Sequence, residues 1–288
     1  MQNVKQYLSV QTCTLLFALS ALISERVSAD IMTIVFGRGL FAMLLLTGVM
    51  AFRHGLPWKN MRAGDLSRLV MNGALLGLHW FCFFMGVREG GVAIGTLGFA
   101  CFPAFVMLLE ALFYREKLSF TDMTVITLIV AGLLILSPGL VSAGGVSSGM
   151  IWGLAGGLSY AVIVMVNRHV RTAASSLQAS WAQCLGCMLI ALPAGAPGLL
   201  KTPGSELWLI IILGVVCTGL AYTLLTYGLR QLQAKTAAVV IAMEPVYVIA
   251  LAWLLLSQTP DVRTLLGAGL ITCAAFISSR AQSHTAEA

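Results

Sequence analysis

The sequence predicts an all-α integral membrane protein, with ten transmembrane helices arranged as two inverted five-helix repeats. Three observations carry that prediction. Hydrophobic residues fill 59% of the 288 positions and charged residues only 10%, with a mean hydropathy of +0.92. Soluble domains carry roughly a quarter charged residues, so a water-soluble globule does not fit. Ten apolar segments approach the roughly 20 residues that cross a hydrocarbon core about 30 Å thick. Motifs of the first half also recur in the second half at an offset of 142 positions.

The spans are expected at 7–24, 31–52, 66–87, 91–113, 121–138, 149–167, 176–193, 206–228, 235–256 and 264–280. The first imitates a secretory leader, with Lys5, an apolar run and then Val27-Ser28-Ala29 before Asp30. The repeat needs it as a partner for a later helix, so it is read as a retained span. The second span carries Arg38. The third places Asn72, His79, Phe83 and Gly86 on one helical face by their spacing of sevens and fours. Arg88-Glu89-Gly90-Gly91 ends it, as Ser137-Pro138-Gly139 ends the fifth and Pro203-Gly204 precedes the eighth. The sixth carries Gly149-x-x-x-Gly153-x-x-x-Gly157, a small-residue row that lets helix backbones approach closely. No stretch is long and polar enough to be a separate soluble domain.

The net charge of +6 is spread over short loops rather than gathered in a patch, which argues against nucleic acid and for a topology signal. On the N-terminal side lie Lys5, Arg53, Lys59, Arg62, Arg68, Arg115, Lys117, Arg168, Arg171, Arg230, Lys235 and Arg280; the other side has Arg26, Arg88, Lys201 and Arg263. Excess Lys and Arg mark the cytoplasmic face, so both termini are expected there, in a bacterial-type inner membrane. All seven cysteines fall in apolar segments and read as small packing residues; Cys184-x-x-Cys187 has no companion pair or His.

The repeat sets Gly77 on Gly219, Gly86 on Gly228, Arg88 on Arg230, Pro103 on Pro245 and Leu112 on Leu254. The boundary is expected between 1–141 and 142–288. Five spans per half invert the second copy in the membrane. Inverted repeats are a hallmark of secondary transporters, whose sites sit at the repeat interface near the midplane. Proline inside a membrane helix frees a carbonyl one turn earlier, tolerated where protein or a wet cavity satisfies it. Pro103 and Pro245 are therefore candidate hinges that would present the carbonyls of Phe99 and Ile241 to a substrate amine.

The segment Gly91-Val-Ala-Ile-Gly-Thr-Leu through Phe102-Pro103 to Leu112-Phe113-Tyr114-Arg115-Glu116-Lys117-Leu118 resembles the EamA-type branch of the drug/metabolite transporter superfamily. So does its second copy, Gln233-Ala-Lys-Thr-Ala-Ala through Glu244-Pro245 to Leu254-Leu255-Leu256-Ser257-Gln258. The likeness covers nearly the whole chain. One departure is Gln258, where an acid is typical of the family; Glu116 keeps it in the first half. The resemblance implies a secondary transporter of small amphipathic metabolites, amino acids among them, working outward. It also implies a central cavity among spans 1–4 and 6–9, with spans 5 and 10 as peripheral supports.

Candidate substrate-binding residues are Arg38, His79, Trp80, Phe83, Phe99, Phe102, Tyr160, Tyr222, Glu244 and Tyr247. A charge near a span's centre is costly unless paired or facing water, so Glu244 is either a coupling or cation-binding carboxylate or an acid locking the proline break. Arg38 either neutralises Glu244 or Glu25, attracts a substrate carboxylate, or snorkels outward to lipid phosphates. Gln183 occupies the matching position in the seventh span. His79 titrates near physiological pH when unperturbed, which suits substrate binding or proton relay, or it is a hydrogen-bonded core residue. The aromatics, Trp181 included, suit apolar or cationic solutes through stacking and cation–π contacts, or pack against lipid. Trp58 and Trp208 read as interface anchors, and Glu110 as a paired or snorkelling acid. Phosphate-loop, zinc-ligand and nucleophile-elbow spacings are missing, so no metal, cofactor or enzyme chemistry is expected. The expected partners are a small-molecule substrate and membrane lipid, with the protein a monomer or homodimer. Proton-coupled efflux of cationic drugs, or uptake of a vitamin or choline-like cation, is the alternative on the same fold.

Overall fold

The computed structural model describes residues 4–53, 55–115, 117–136, 147–169, 173–229, 240–241 and 243–285. The Ser137-Pro138-Gly139 turn, the proposed 141/142 boundary, Glu116 and the Gln233–Ala238 motif lie outside them. The described residues are helical throughout their secondary structure: α1 (Val4–Glu25), α2 (Ile31–Arg53), α3 (Ala63–Phe99), α4 (Phe102–Tyr114), α5 (Phe120–Leu136) and α6 (Ser148–His169). There follow α7 (Ser176–Lys201), α8 (Gly204–Gly214), a π turn (Val215–Leu220), α9 (Ala221–Leu229), α10 (Glu244–Leu256) and α11 (Val262–Thr285). Among them, α1, α2, α3, α7 and the run Gly204–Leu225 are long and apolar enough to cross a membrane. Shorter apolar helices lie at Phe102–Tyr114, Phe120–Ile135, Ser148–Ile163, Glu244–Leu256 and Val262–Ala274. Large side chains such as Phe52, Phe113, Phe120, Trp253 and Leu254 face outward. A surface this apolar suits lipid and not water.

The helix ends depart from hydropathy in three places. α3 holds two helices joined by a kink at Gly91 (φ +79°, ψ 164°), so Ala63–Phe99 contains the expected third span and the start of the fourth. The chain reverses there: a β-carbon on Gly95 would stand 2.5 Å from the Val87 nitrogen. Residues that far apart in a straight helix would be roughly 12 Å apart at about 1.5 Å per residue. The expected fourth span is thus two pieces, broken at Ala100-Cys101 ahead of Pro103. The expected seventh span ends at Pro193, yet α7 continues through Pro193 and Pro197 to Lys201. The eighth is interrupted by the π turn Val215–Leu220, which nothing in its apolar sequence announces.

The offset of 142 is visible in the backbone. α4 and α10 each have 13 residues, each has its proline in second place, and each ends on a left-handed residue, Arg115 (φ 56°, ψ 28°) and Ser257 (φ 56°, ψ 24°). Their N-caps, Cys101 and Met243, have φ −77° and −81° with ψ −5° and −4°. Packing follows the same rule. Gly77 leaves room for Ile190 of α7, and its counterpart Gly219 leaves room for Leu45 of α2. Gly86 meets Gly149 and Gly153 of α6, and its counterpart Gly228 meets Gln6 and Val10 of α1. The principal helix pairs are α3 with α6 and α7, α2 with α7, α1 with α9 and α10, α4 with α6, and α5 with α11.

Candidate functional site

A cavity of about 120 Å³ lies among α1, α2, α3, α4, α6, α9, α10 and α11. Its walls are largely counterparts in the repeat: Trp80 with Tyr222, Phe83 with Leu225, Phe99 with Ile241, Phe102 with Glu244. Phe17 of α1 and Tyr160 of α6 face it as well, 143 positions apart.

Arg38 reaches this cavity from α2 through packing that its neighbours permit. It sits between Gly37, whose bare face receives Ile210 of α8, and Gly39, which lies against the Cys184 and Met188 backbone of α7. The side chain is buried, at 4% exposure, so it does not snorkel to the lipid phosphates. Its Nε donates to Thr218 Oγ1 at 2.6 Å, and its Cζ stands 4.1 Å from the Trp80 ring centre and 5.4 Å from that of Phe84. No ion pair joins it to Glu244 or Glu25 among the described residues. Glu25 instead accepts from Gln258 Nε2 at 2.9 Å. Gln183, the sequence counterpart of Arg38, does not line the cavity; its carbonyl lies against Gly73 at the α3–α7 crossing.

His79 stands inside an aromatic group. Its ring centre is 5.1 Å from Tyr160, 5.2 Å from Phe99 and 6.2 Å from Phe83, and Phe102 stacks on Phe99 at 5.5 Å. Nδ1 contacts the Gly156 carbonyl at 2.9 Å. A carbonyl only accepts, so Nδ1 carries the proton, and in the neutral ring Nε2 is left as an acceptor. Glu244 begins α10 as Phe102 begins α4, and both line the cavity. Among the described residues the Glu244 carboxylate has no hydrogen bond or ion pair.

Several expectations are corrected. Tyr247 is absent from the cavity wall, whereas Pro245, one of the two expected hinges, lines it. The Tyr247 hydroxyl donates to Gln11 Oε1, which turns it toward α1. The Phe99 carbonyl packs against Gly157 of α6, 3.0 Å from where a β-carbon there would be, instead of standing free for an amine. Trp181 belongs to a separate cluster with Met50 and Leu69, its Nε1 donating to Thr47 Oγ1 at 2.9 Å. α11 is not merely peripheral, since Ile271 and Thr272 line the cavity. Glu110 is buried.

Sequence reasoning missed Thr96, Thr272, Phe17 and Ser20, all on the wall, and Thr218, which accepts from Arg38. A signal for Thr218 existed: it is the polar counterpart of Leu76 in the repeat. The hydroxyls of Thr96 and Thr272 are buried without a hydrogen-bond partner.

An apolar outer surface, many lipid-length helices and a buried cavity carrying both charges and aromatic walls define a multi-pass membrane transport protein. The EamA-like transporter family matches residues 5–137 and again 147–280, and the chain belongs to that family. The uncharacterized transporter YxxF of Bacillus subtilis is 24% identical over 253 residues, covering 86% of this chain and 81% of that protein. An uncharacterized transporter of Archaeoglobus fulgidus is 25% identical over 251 residues, 84% of each. A protein of known crystal structure shares the fold, with a TM-score of 0.64 over 97% of this chain and 98% of its own at 16% identity.

Proposed function

We propose that this protein is a secondary transporter that exports small amphipathic metabolites such as amino acids, by alternating access around the cavity. The observation that carries the reading is the cavity's composition: one guanidinium, Arg38, one carboxylate, Glu244, and aromatic walls between them. A zwitterion with an apolar side chain complements all three at once. The proposed frame is ten spans in two inverted halves, residues 1–141 and 142–288, with both termini cytoplasmic in an inner membrane.

The packing supports inversion. Exchanging each span with the one five places on maps the principal helix contacts onto one another: spans 3 and 6 onto 8 and 1, 4 and 6 onto 9 and 1, 3 and 7 onto 8 and 2. The pairs 2 with 7 and 5 with 10 map onto themselves. That is the pattern of a pseudo-two-fold axis; with five spans per half the proposed axis lies in the membrane plane, where a transporter's site is expected. Rocking of one half against the other about Pro103 and Pro245 would expose the cavity alternately.

Transport of a lone cation, by proton-coupled drug efflux or by uptake of a vitamin or choline-like solute, is the second reading. The aromatic group of Phe83, Phe99, Phe102 and Tyr160 favours it, while the buried Arg38 charge opposes it. The test is an untargeted comparison of metabolites in the medium of cells with and without the protein. Accumulation of amino acids or their close relatives is expected; accumulation of quaternary or aromatic amines alone would favour the second reading.

A further inference from the structure

Arg38 is held more specifically than helix packing requires. A guanidinium presents five N–H donors in a planar fork. Here Nε is engaged by Thr218, the Trp80 face lies 4.1 Å from Cζ, and among the described residues Nη1 and Nη2 make no hydrogen bond. A buried charge without a counter-ion is costly, and the unused edge of the fork is the edge that binds a carboxylate through two parallel bonds. Thr218 is oriented in turn. Its hydroxyl proton goes to the Leu213 carbonyl at 2.9 Å, five residues back. Thr218 itself lies in the π turn Val215–Leu220, whose bonds run five residues back; in a regular helix the hydroxyl reaches the carbonyl three or four residues back. With its proton committed there, Thr218 Oγ1 offers Arg38 only a lone pair.

Resting on the transporter reading above, we infer that Arg38 receives the substrate's carboxylate and that Thr218, presented by the π turn, is a positioning residue fixing the fork. Glu244 in the same cavity sets the polarity, repelling a carboxylate and drawing an ammonium group. A single cation beside a single carboxylate selects monocarboxylates that also carry an amine. Dicarboxylates and phosphate esters bring an extra negative charge that no second Lys or Arg on the wall answers among the described residues.

The test uses the purified full-length protein in detergent. Its affinity for the proteinogenic amino acids is measured by thermal shift, with each acid compared with its carboxamide and its decarboxylated amine. The acid should bind about tenfold or more better than its amide, as expected for hydrogen bonds to a charged group. Thr218→Val, close in shape but without the hydroxyl, should bring that ratio down several-fold; Thr218→Ser should restore it, and Arg38→Gln should abolish it. Amides that bind as well as acids overturn the proposal. So does a Thr218→Val protein that melts lower yet keeps the wild-type ratio, because the residue is then structural only. If labelled amino acids cross proteoliposomes without any preference for the carboxylate, the clamp falls and the transporter reading stands. If no amino acid binds or crosses, both fall.

Discussion

Replacing Gly73 with alanine should drive α3 off α7 and disturb the cavity wall one to two turns further on. A β-carbon at Gly73 would stand 2.2 Å from the Gln183 carbonyl oxygen and 2.8 Å from its carbonyl carbon and Cα. Non-bonded heavy atoms rest at about 3.5 Å, so the two backbones must part by roughly 1 Å. Both partners are main chain, and no side chain can rotate out of the way. Alanine gains about 1 kcal/mol over glycine from helix propensity, but overpacking of this kind costs about 3 kcal/mol or more. The clash wins, for a net loss of about 2 kcal/mol and a melting temperature lower by about 4–8 °C. Gly48 on exposed helix surface has nothing within 4 Å of its β-carbon position, so Gly48→Ala keeps the propensity gain alone. Since α3 carries Leu76, His79 and Trp80 to the cavity, Gly73→Ala should also weaken substrate binding. Thermal unfolding of the purified protein in detergent, followed by tryptophan fluorescence, measures the first effect. Equal melting temperatures for Gly73→Ala and Gly48→Ala would refute the close crossing of α3 and α7.

Three further outcomes are expected. His79→Asn, whose amide can donate in place of Nδ1, should keep several-fold more transport than His79→Leu in proteoliposomes; equal rates would remove any role for the Gly156 bond. Glu206 accepts from Ser28 N at 3.0 Å, Ser28 Oγ at 2.6 Å and Ala29 N at 3.1 Å. Arg88 holds the Val27 and Ala29 carbonyls of the same loop. Glu206→Ala should therefore speed amide hydrogen exchange at Ser28 and Ala29, and unchanged exchange would deny that contact. Glu244→Gln should shrink the difference in affinity between an amino acid and its des-amino acid, and an unchanged difference would take Glu244 out of substrate binding.

What could be read without coordinates follows from what hydropathy and spacing encode. Membrane segments announce themselves because each must be apolar along its length, and the repeat does so because Pro103 and Pro245 keep one offset. The two charges of the cavity were legible for the same reason, since Arg38 and Glu244 stand alone in apolar runs. The direction in which a side chain points was not. Composition puts Trp181 and Tyr247 at cavity depth, but their azimuth depends on helix packing, which turns one toward Thr47 and the other toward Gln11. The π turn was hidden too. It is a matter of which carbonyl each amide finds, and Val215–Leu220 reads as ordinary apolar helix. α7 outran its prolines because each removes one hydrogen bond, not the apolar packing of the turns around it.

The proposal is that a zwitterionic solute crosses through the cavity between Arg38 and Glu244. Its most direct test is counterflow in proteoliposomes: vesicles loaded with an unlabelled amino acid mixture, the same compounds labelled outside. Transient accumulation of label is expected with the wild-type protein, and none with Arg38→Gln or Glu244→Gln proteins that melt at the wild-type temperature. Label that accumulates equally in all three would contradict it, as would wild-type vesicles that behave like protein-free ones.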